Sequence, residues 1–251
     1  MTTFAANNVQ TWFAGYDMTG DLNSTALAMS YDALDATPFQ PGTNTTPARV
    51  RVAGLESVQL DVAGFWQAGA AAVDPVAFAA LGSAGASQPI SNSHDGIEGS
   101  PAYLYRSRAF NYELFGQVGD VAPFRLTAQS ARGTGLASVG GIRGLVLKTK
   151  ADVSATGATG TALQLGAVAS GQYLYAPLHT FAAGTTLTAV LESSADNTFG
   201  SPTTRITFSG VTAQGGTWGT RVAGPITDTW YRLKITSITG TFTIACTAGI
   251  R

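Results

Sequence analysis

Arg49-Val50-Arg51-Val52-Ala53-Gly54-Leu55-Glu56-Ser57-Val58-Gln59-Leu60-Asp61-Val62 is the stretch that decides the fold class. Its last five residues alternate apolar and polar, the period of two that sets one face of a strand on a core and the other in water. Gly54 interrupts the pattern where a bulge is expected. Upstream, Asp21 to Ser30 carries Leu22, Leu27 and Met29 among small residues and reads as a second strand. Thr37 to Pro47, between them, holds two Thr-Pro pairs and Pro41-Gly42. The two strands thus form a hairpin whose loop, Ala36 to Ala48, exceeds the two to five residues usual in hairpins. A loop of that length is expected to serve contact.

Alternation returns near the other end of the chain. Tyr231, Leu233 and Ile235 are expected to face a core while Arg232 and Lys234 face solvent, and Phe242, Ile244 and Cys246 alternate with Thr241 and Thr243. Short strand-like runs recur at 163–165, 173–181, 187–192, 204–208 and 218–222, with Gly, Ser, Pro and Asn between them, the pattern of a sandwich or jelly roll. In the first half, 102–115, 124–129 and 142–150 supply further strands, while 85–99 and 131–141 read as polar or Gly-rich loops. Asp74 to Gly82 reads as the one helix, with Asp74 as N-cap, Pro75 at the first helical position and Gly82 as terminator. Ser154 to Gly160, almost all Ala, Thr and Gly, reads as a boundary or exposed loop. The expectation is a mainly β chain, with residues 1–150 as a β-sandwich domain with one short flanking helix and 151–251 as a second, jelly-roll-like β-sandwich region.

Composition agrees. Of 251 residues 45% are hydrophobic, which argues against disorder, yet only 12% are charged, about half the usual share, so the surface is unusually neutral. Thirty glycines and few Glu or Lys disfavour a helical protein. A net charge of −1 offers no basic field for phosphate backbones. So neutral a surface tends to self-associate. Cys246, the single cysteine, excludes an internal disulfide and reads as a small buried hydrophobe. The first eight residues show no basic and apolar signal pattern, and Val62 to Leu81 is too interrupted to span a bilayer, so neither secretion nor membrane insertion is expected.

Catalytic and metal constellations fail one by one. His94 and His179 lie far apart without a thiol, against the three or four ligands of a zinc site. Ser93, His94, Asp95 and Ser100 imitate a triad but lack a G-x-S-x-G elbow. Gly133-Thr134-Gly135 lacks the third glycine of a dinucleotide fingerprint. Asp17, Asp21, Asp32 and Asp35, like Asp196-Asn197, lack the spacing of a calcium loop and read as solvated turn acids. Tyr103, Tyr105, Phe110, Tyr112 and Phe115, and separately Trp218, Trp230 and Tyr231, suit core and interface roles better than a sugar-stacking platform. No enzyme activity, cofactor or metal is expected.

Several segments nevertheless have a family likeness. Gly20-Asp21-Leu22-Asn23, Asp32 to Phe39, Ala53 to Val58, Gly64-Phe65-Trp66 followed by Asp74-Pro75, and Gly116 to Phe124 resemble the tail tube (major tail) proteins of long-tailed, siphovirus-like bacteriophages. Ser201 to Phe208 and Ala223 to Trp230 are similar to the ends of some such proteins. The resemblance implies a tail-tube-type β-sandwich or barrel subunit, hexameric rings stacked into a tube for DNA passage, and a C-terminal part outside the tube or decorating it. It implies a virion location after synthesis in the host cytoplasm, with tape-measure and terminator proteins as partners. On it, Leu22, Gln59 and Asp61 lie on lumen strands. Thr37, Phe39, Pro41, Thr45 and Pro47 form an inter-ring loop. Arg49 and Arg51 make ring contacts with Asp32 or Asp35, because a lumen for DNA should avoid attractive basic groups. The competing readings are a capsid or tail decoration protein and a carbohydrate-binding β-sandwich module.

Overall fold

The computed structural model describes residues 8–36, 49–69, 72–81, 87–117, 121–131 and 140–251. The first half begins with short strands β1 (Gln10–Phe13) and β2 (Tyr16–Asp17), followed by a long hairpin of β3 (Leu22–Asp35) and β4 (Arg51–Phe65). The helix α1 (Val73–Ala80) comes next, then β5 (Gln88–Ser93), β6 (Pro101–Leu114), β7 (Pro123–Ser130) and β8 (Ile142–Val153). The second half holds β9 (Gly157–Gln164), β10 (Tyr173–Tyr175), β11 (Pro177–Ala182), β12 (Thr186–Ser194) and β13 (Thr203–Val211). It ends with β14 (Gly215–Trp218), β15 (Val222–Ala223), β16 (Trp230–Thr239) and β17 (Phe242–Ile250). The protein is mainly β, as its alternating patterns require, and among the described residues neither of the two sheets closes into a barrel.

The larger sheet branches at β6. Pro101 to Leu104 of β6 pair with β8, Ala102 to Ser107 pair with β5 on the opposite side, and Ser107 to Leu114 pair with β7, which continues through β4 to β3. A second arm runs from β8 through β17 to β11 and β14. The smaller sheet, β13-β12-β16-β9, stacks on this second arm. Tyr231, Leu233, Ile235, Leu191, Ile206 and Phe208 from one side meet Phe242, Ile244, Cys246, Leu178 and Leu147 from the other, all buried. That is the predicted C-terminal sandwich. Burial pushes the Cys246 thiol up to about 12, as expected of an inert core sulfur.

A second core lies under β4 and β7. Val58, Leu60 and Val62 pack with Phe124, Leu126 and Ala128, and α1 covers them with Val73, Ala77 and Ala80. The helix differs from its sequence reading. Its cap is Ala72, without a side-chain bond. Asp74 sits inside the first turn and accepts hydrogen bonds from Trp66 Nε1 at 3.0 Å and Tyr112 OH at 2.9 Å, so its carboxylate ties the helix to β6 instead of capping it. Gly82 lies outside the described residues. Two stretches read as loops are partly strand. Gln88–Ser93 is a buried strand, legible only from its partners, and Gly157–Gln164 is β9, edge strand of the smaller sheet. The boundary placed at 150 falls inside β8, which pairs with β17 at the far end of the chain.

Candidate functional site

The hairpin outgrows its support. On β4, Gln59 to Phe65 pair with β7, whereas among the described residues Arg51 to Ser57 pair with β3 alone. The six residues from Arg51 to Glu56, at about 3.4 Å each, project roughly 20 Å. Gly54 and Leu55 together stand opposite Asp32, the bulge that the glycine foretold. On the projecting part Tyr31, Leu34, Val52 and Leu55 are exposed, Leu55 to 80%. A two-stranded ribbon wet on both faces has no core of its own. The outer edge of β3, fourteen residues long, has no pairing strand among the described residues. Long apolar edges of this kind are templates for pairing with another chain.

One clamp holds the ribbon to the body. Arg251 donates to Glu56 Oε1 at 2.9 Å, to the Gly141 carbonyl at 2.7 Å and to Tyr31 OH at 2.8 Å, and it also bonds Glu56 Oε2. Tyr31 OH and the Gly141 N–H donate to the same carboxylate. Burial opposes ionisation of Glu56, but the bonds and charge of Arg251, with those of Tyr31 and Gly141, outweigh it and hold the pKa below the usual carboxylate value.

The outer face of the sheet β3-β4-β7-β6 is a polar trough. Register sets Ser24, Ala26 and Ala28 beside Ala63, Asp61 and Gln59, then Arg125, Thr127 and Gln129, then Glu113, Asn111 and Arg108. Asp61 accepts from Gln59 Nε2 at 2.7 Å and from Thr127 Oγ1 at 2.7 Å, and Gln129 donates to Gln59 at 3.2 Å. Two acids balance two arginines, and most of the remainder are small or uncharged. The hollow next to Asp61 and Asn111 has a volume of about 540 Å³.

The predicted residues fall as follows. Gln59 and Asp61 lie on the trough, while Leu22 packs at the margin of the core under α1. Arg51 stands directly opposite Asp35 across the same hairpin, Arg49 is exposed just beyond it, and Asp32 faces the Gly54-Leu55 bulge. The loop residues Thr37, Phe39, Pro41, Thr45 and Pro47 lie outside the described residues. The four acids are not brought together. Asp17 pairs with Lys150 at 2.8 Å, and Asp21 accepts from Tyr16 OH and Gln67 Nε2. Of the two aromatic groups, Tyr105 and Tyr231 are core residues with no exposure, Tyr103 and Phe115 are exposed, and the Phe110 side chain lies outside those described. Among the described residues no three His, Cys, Asp or Glu converge as metal ligands, and no helix is long and apolar enough to cross a membrane. Sequence reasoning missed the Arg251 clamp, whose partners lie up to 220 positions away. It also missed the trough residues of β6 and β7, whose alternation became visible only with the register.

No protein-family model matches the chain, and no curated protein matches it. Solved structures do. A chain of the virion of a native gene transfer agent particle is 14% identical, with 52% of this chain and 96% of that one covered and a TM-score of 0.40. A chain of the sheath-tube complex of an extracellular contractile injection system in the extended state is 12% identical over 57% of this chain and 93% of that one, with a TM-score of 0.43. The Dit protein of phage SPP1, described as a hub adsorption apparatus of phages infecting Gram-positive bacteria, is 10% identical. It covers 97% of this chain and 99% of its own length at a TM-score of 0.35. At these identities and scores a shared function does not follow from likeness.

Proposed function

We propose that this chain is a structural subunit of a phage-type tail tube, closing into hexameric rings that stack around a channel for DNA. The observation that carries the reading is the part of the larger sheet formed by β3-β4-β7-β6: among the described residues no strand pairs with the outer side of β3 or with Asn111 to Leu114 of β6 on the side away from β7, and one face balances its charges. Its strands alternate in direction, so β3 and β6 run oppositely. When copies stand side by side around an axis, the Asn111 to Leu114 margin of β6 in one therefore meets the β3 edge of the next in antiparallel sense. Closure removes the edges that a lone subunit exposes. The trough then faces the channel, where Asp61 and Glu113 offset Arg108 and Arg125 and Ser24, Ala26, Ala28, Gln59 and Thr127 add no charge to attract phosphate. The projecting hairpin reaches along the axis toward the adjacent ring, and the C-terminal sandwich stays outside. Tape-measure and terminator proteins are the partners this arrangement calls for.

Negative-stain electron microscopy of the purified chain, with light scattering at increasing concentration, tests the reading. Rings or tubes with sixfold symmetry and a central channel are expected. A chain that stays monomeric at high concentration overturns it.

A further inference from the structure

The helix α1 leaves its largest side chain in water. Phe78 is 69% exposed and Leu81, just beyond the helix, 38%, while the small residues Val73, Ala77 and Ala80 do the packing. Leu81 also bridges β6 at Ala109, on the side of β6 away from β7. The end of the helix therefore stands at the margin of the sheet, next to Asn111 to Leu114 of β6, which have no strand on that side among the described residues.

The opposite margin carries a hollow. Beside the unpaired edge of β3, Thr25, Leu27 and Met29 overlook Val9, Asn92, His94 and Tyr103 across a groove of about 460 Å³. No residue of α1 lines it. These three β3 side chains share a face with Val62, Leu60 and Val58, which is the face α1 covers. Helix and groove thus lie on the same side of the sheet. They also lie at the same level. The register runs from Leu27 through Leu60 and Ala128 to Ala109, the residue that Leu81 touches.

We propose that Phe78, with Leu81, seats in this groove on the next copy of the chain in the ring. The occupant is a second copy because edge pairing of β6 with β3 brings an apolar knob and an apolar-floored groove together on one side and at one height. The inference rests on the ring reading and adds to it the contact that fixes how neighbours are angled.

Two measurements test it. Phe78→Ser changes an exposed residue, so the circular dichroism spectrum and Tm should stay as in the parent, while subunit association weakens by about tenfold or more from the lost apolar burial. Separately, a Phe78→Cys chain is mixed with a mass-tagged Leu27→Cys chain, assembled and oxidised; Cys246, fully buried, stays out of the reaction. A mixed disulfide dimer absent from either chain alone is expected. If the parent forms rings but Phe78→Ser assembles equally well, or the mixed dimer does not form, the Phe78 contact is wrong and the ring reading stands. If the parent forms no rings, both fall.

Discussion

His179 is buried where β11 meets β17, β5 and the β1–β2 turn, and its neighbours decide which nitrogen holds the proton. The Ala14 carbonyl, 2.7 Å from Nδ1, can only accept, so Nδ1 carries the hydrogen. Nε2 then accepts from Ser91 at 2.8 Å, and Ser91 in turn accepts from Thr247 at 2.8 Å. Trp12 and Phe181 enclose the ring, and the charged groups beyond them are Asp17 and Lys150, paired with each other. Burial brings the imidazole pKa down to about 4 from 6.5. The unfolded chain takes up a proton near 6.5 that the folded chain refuses until about 4. The stability held at neutral pH is thus complete above that range and lost as the pH falls through it, by about 3 kcal/mol in full. Urea midpoints between pH 7.5 and 4 should show this slope, and His179→Gln should flatten it. Glu56 behaves in the opposite chemical sense with the same outcome in acid. Its depressed pKa gives stability present above the unfolded value and lost as the pH falls through the folded one. Arg251→Ala should move that loss to higher pH and cost on the order of 1 kcal/mol at neutral pH, allowing for solvent screening.

At the scale of elements, the hairpin and the sandwich differ in what supports them. Gly64, opposite Leu22, has no room for a side chain, because a Cβ would stand 1.9 Å from the Asp21 carbonyl oxygen. That neighbour is backbone and cannot turn aside, so Gly64→Ala should destabilise the protein by about 2 kcal/mol or more in chemical denaturation. The projecting residues 30–35 and 51–56 should exchange their amide hydrogens fast in the lone subunit and slowly in assemblies, while β12, β16 and β17 stay protected in both. The strands of both halves were legible wherever one face is wet, as in Val58 to Val62 and Tyr231 to Ile235, because the pleat writes its period into the sequence. Gln88–Ser93 was not, since Ser91, Asn92 and Ser93 are buried through polar partners such as Thr11 and His179 and so mimic a loop. Nor was β9, whose Ala, Thr and Gly residues draw their strand state from β16. In the candidate site, Gln59 and Asp61 could be placed from alternation alone. Phe78 could not be set outward from spacing, because a helix face is chosen by what it packs on.

On the proposed ring reading, what matters for the whole molecule is what the trough lacks. A channel for DNA must let a dense line of phosphates slide, and each Lys or Arg that neutralises a phosphate adds salt-dependent affinity. Here Arg108 and Arg125 share the trough with Asp61 and Glu113, and β3 contributes Ser24, Ala26 and Ala28, without charge. Arginine in place of Ala26 and Ala28, two exposed positions on β3, leaves both cores untouched. Rings and tubes should still form, since edge pairing is made by the backbone. Symmetry then multiplies the two new charges around every ring. Tubes of the parent chain should release a labelled oligonucleotide at low salt. Tubes carrying Ala26→Arg and Ala28→Arg should retain it, with affinity falling steeply as salt rises, because bound phosphates displace condensed counterions. Equal release from both tubes would mean that the trough does not face the channel, even if the rings themselves are real.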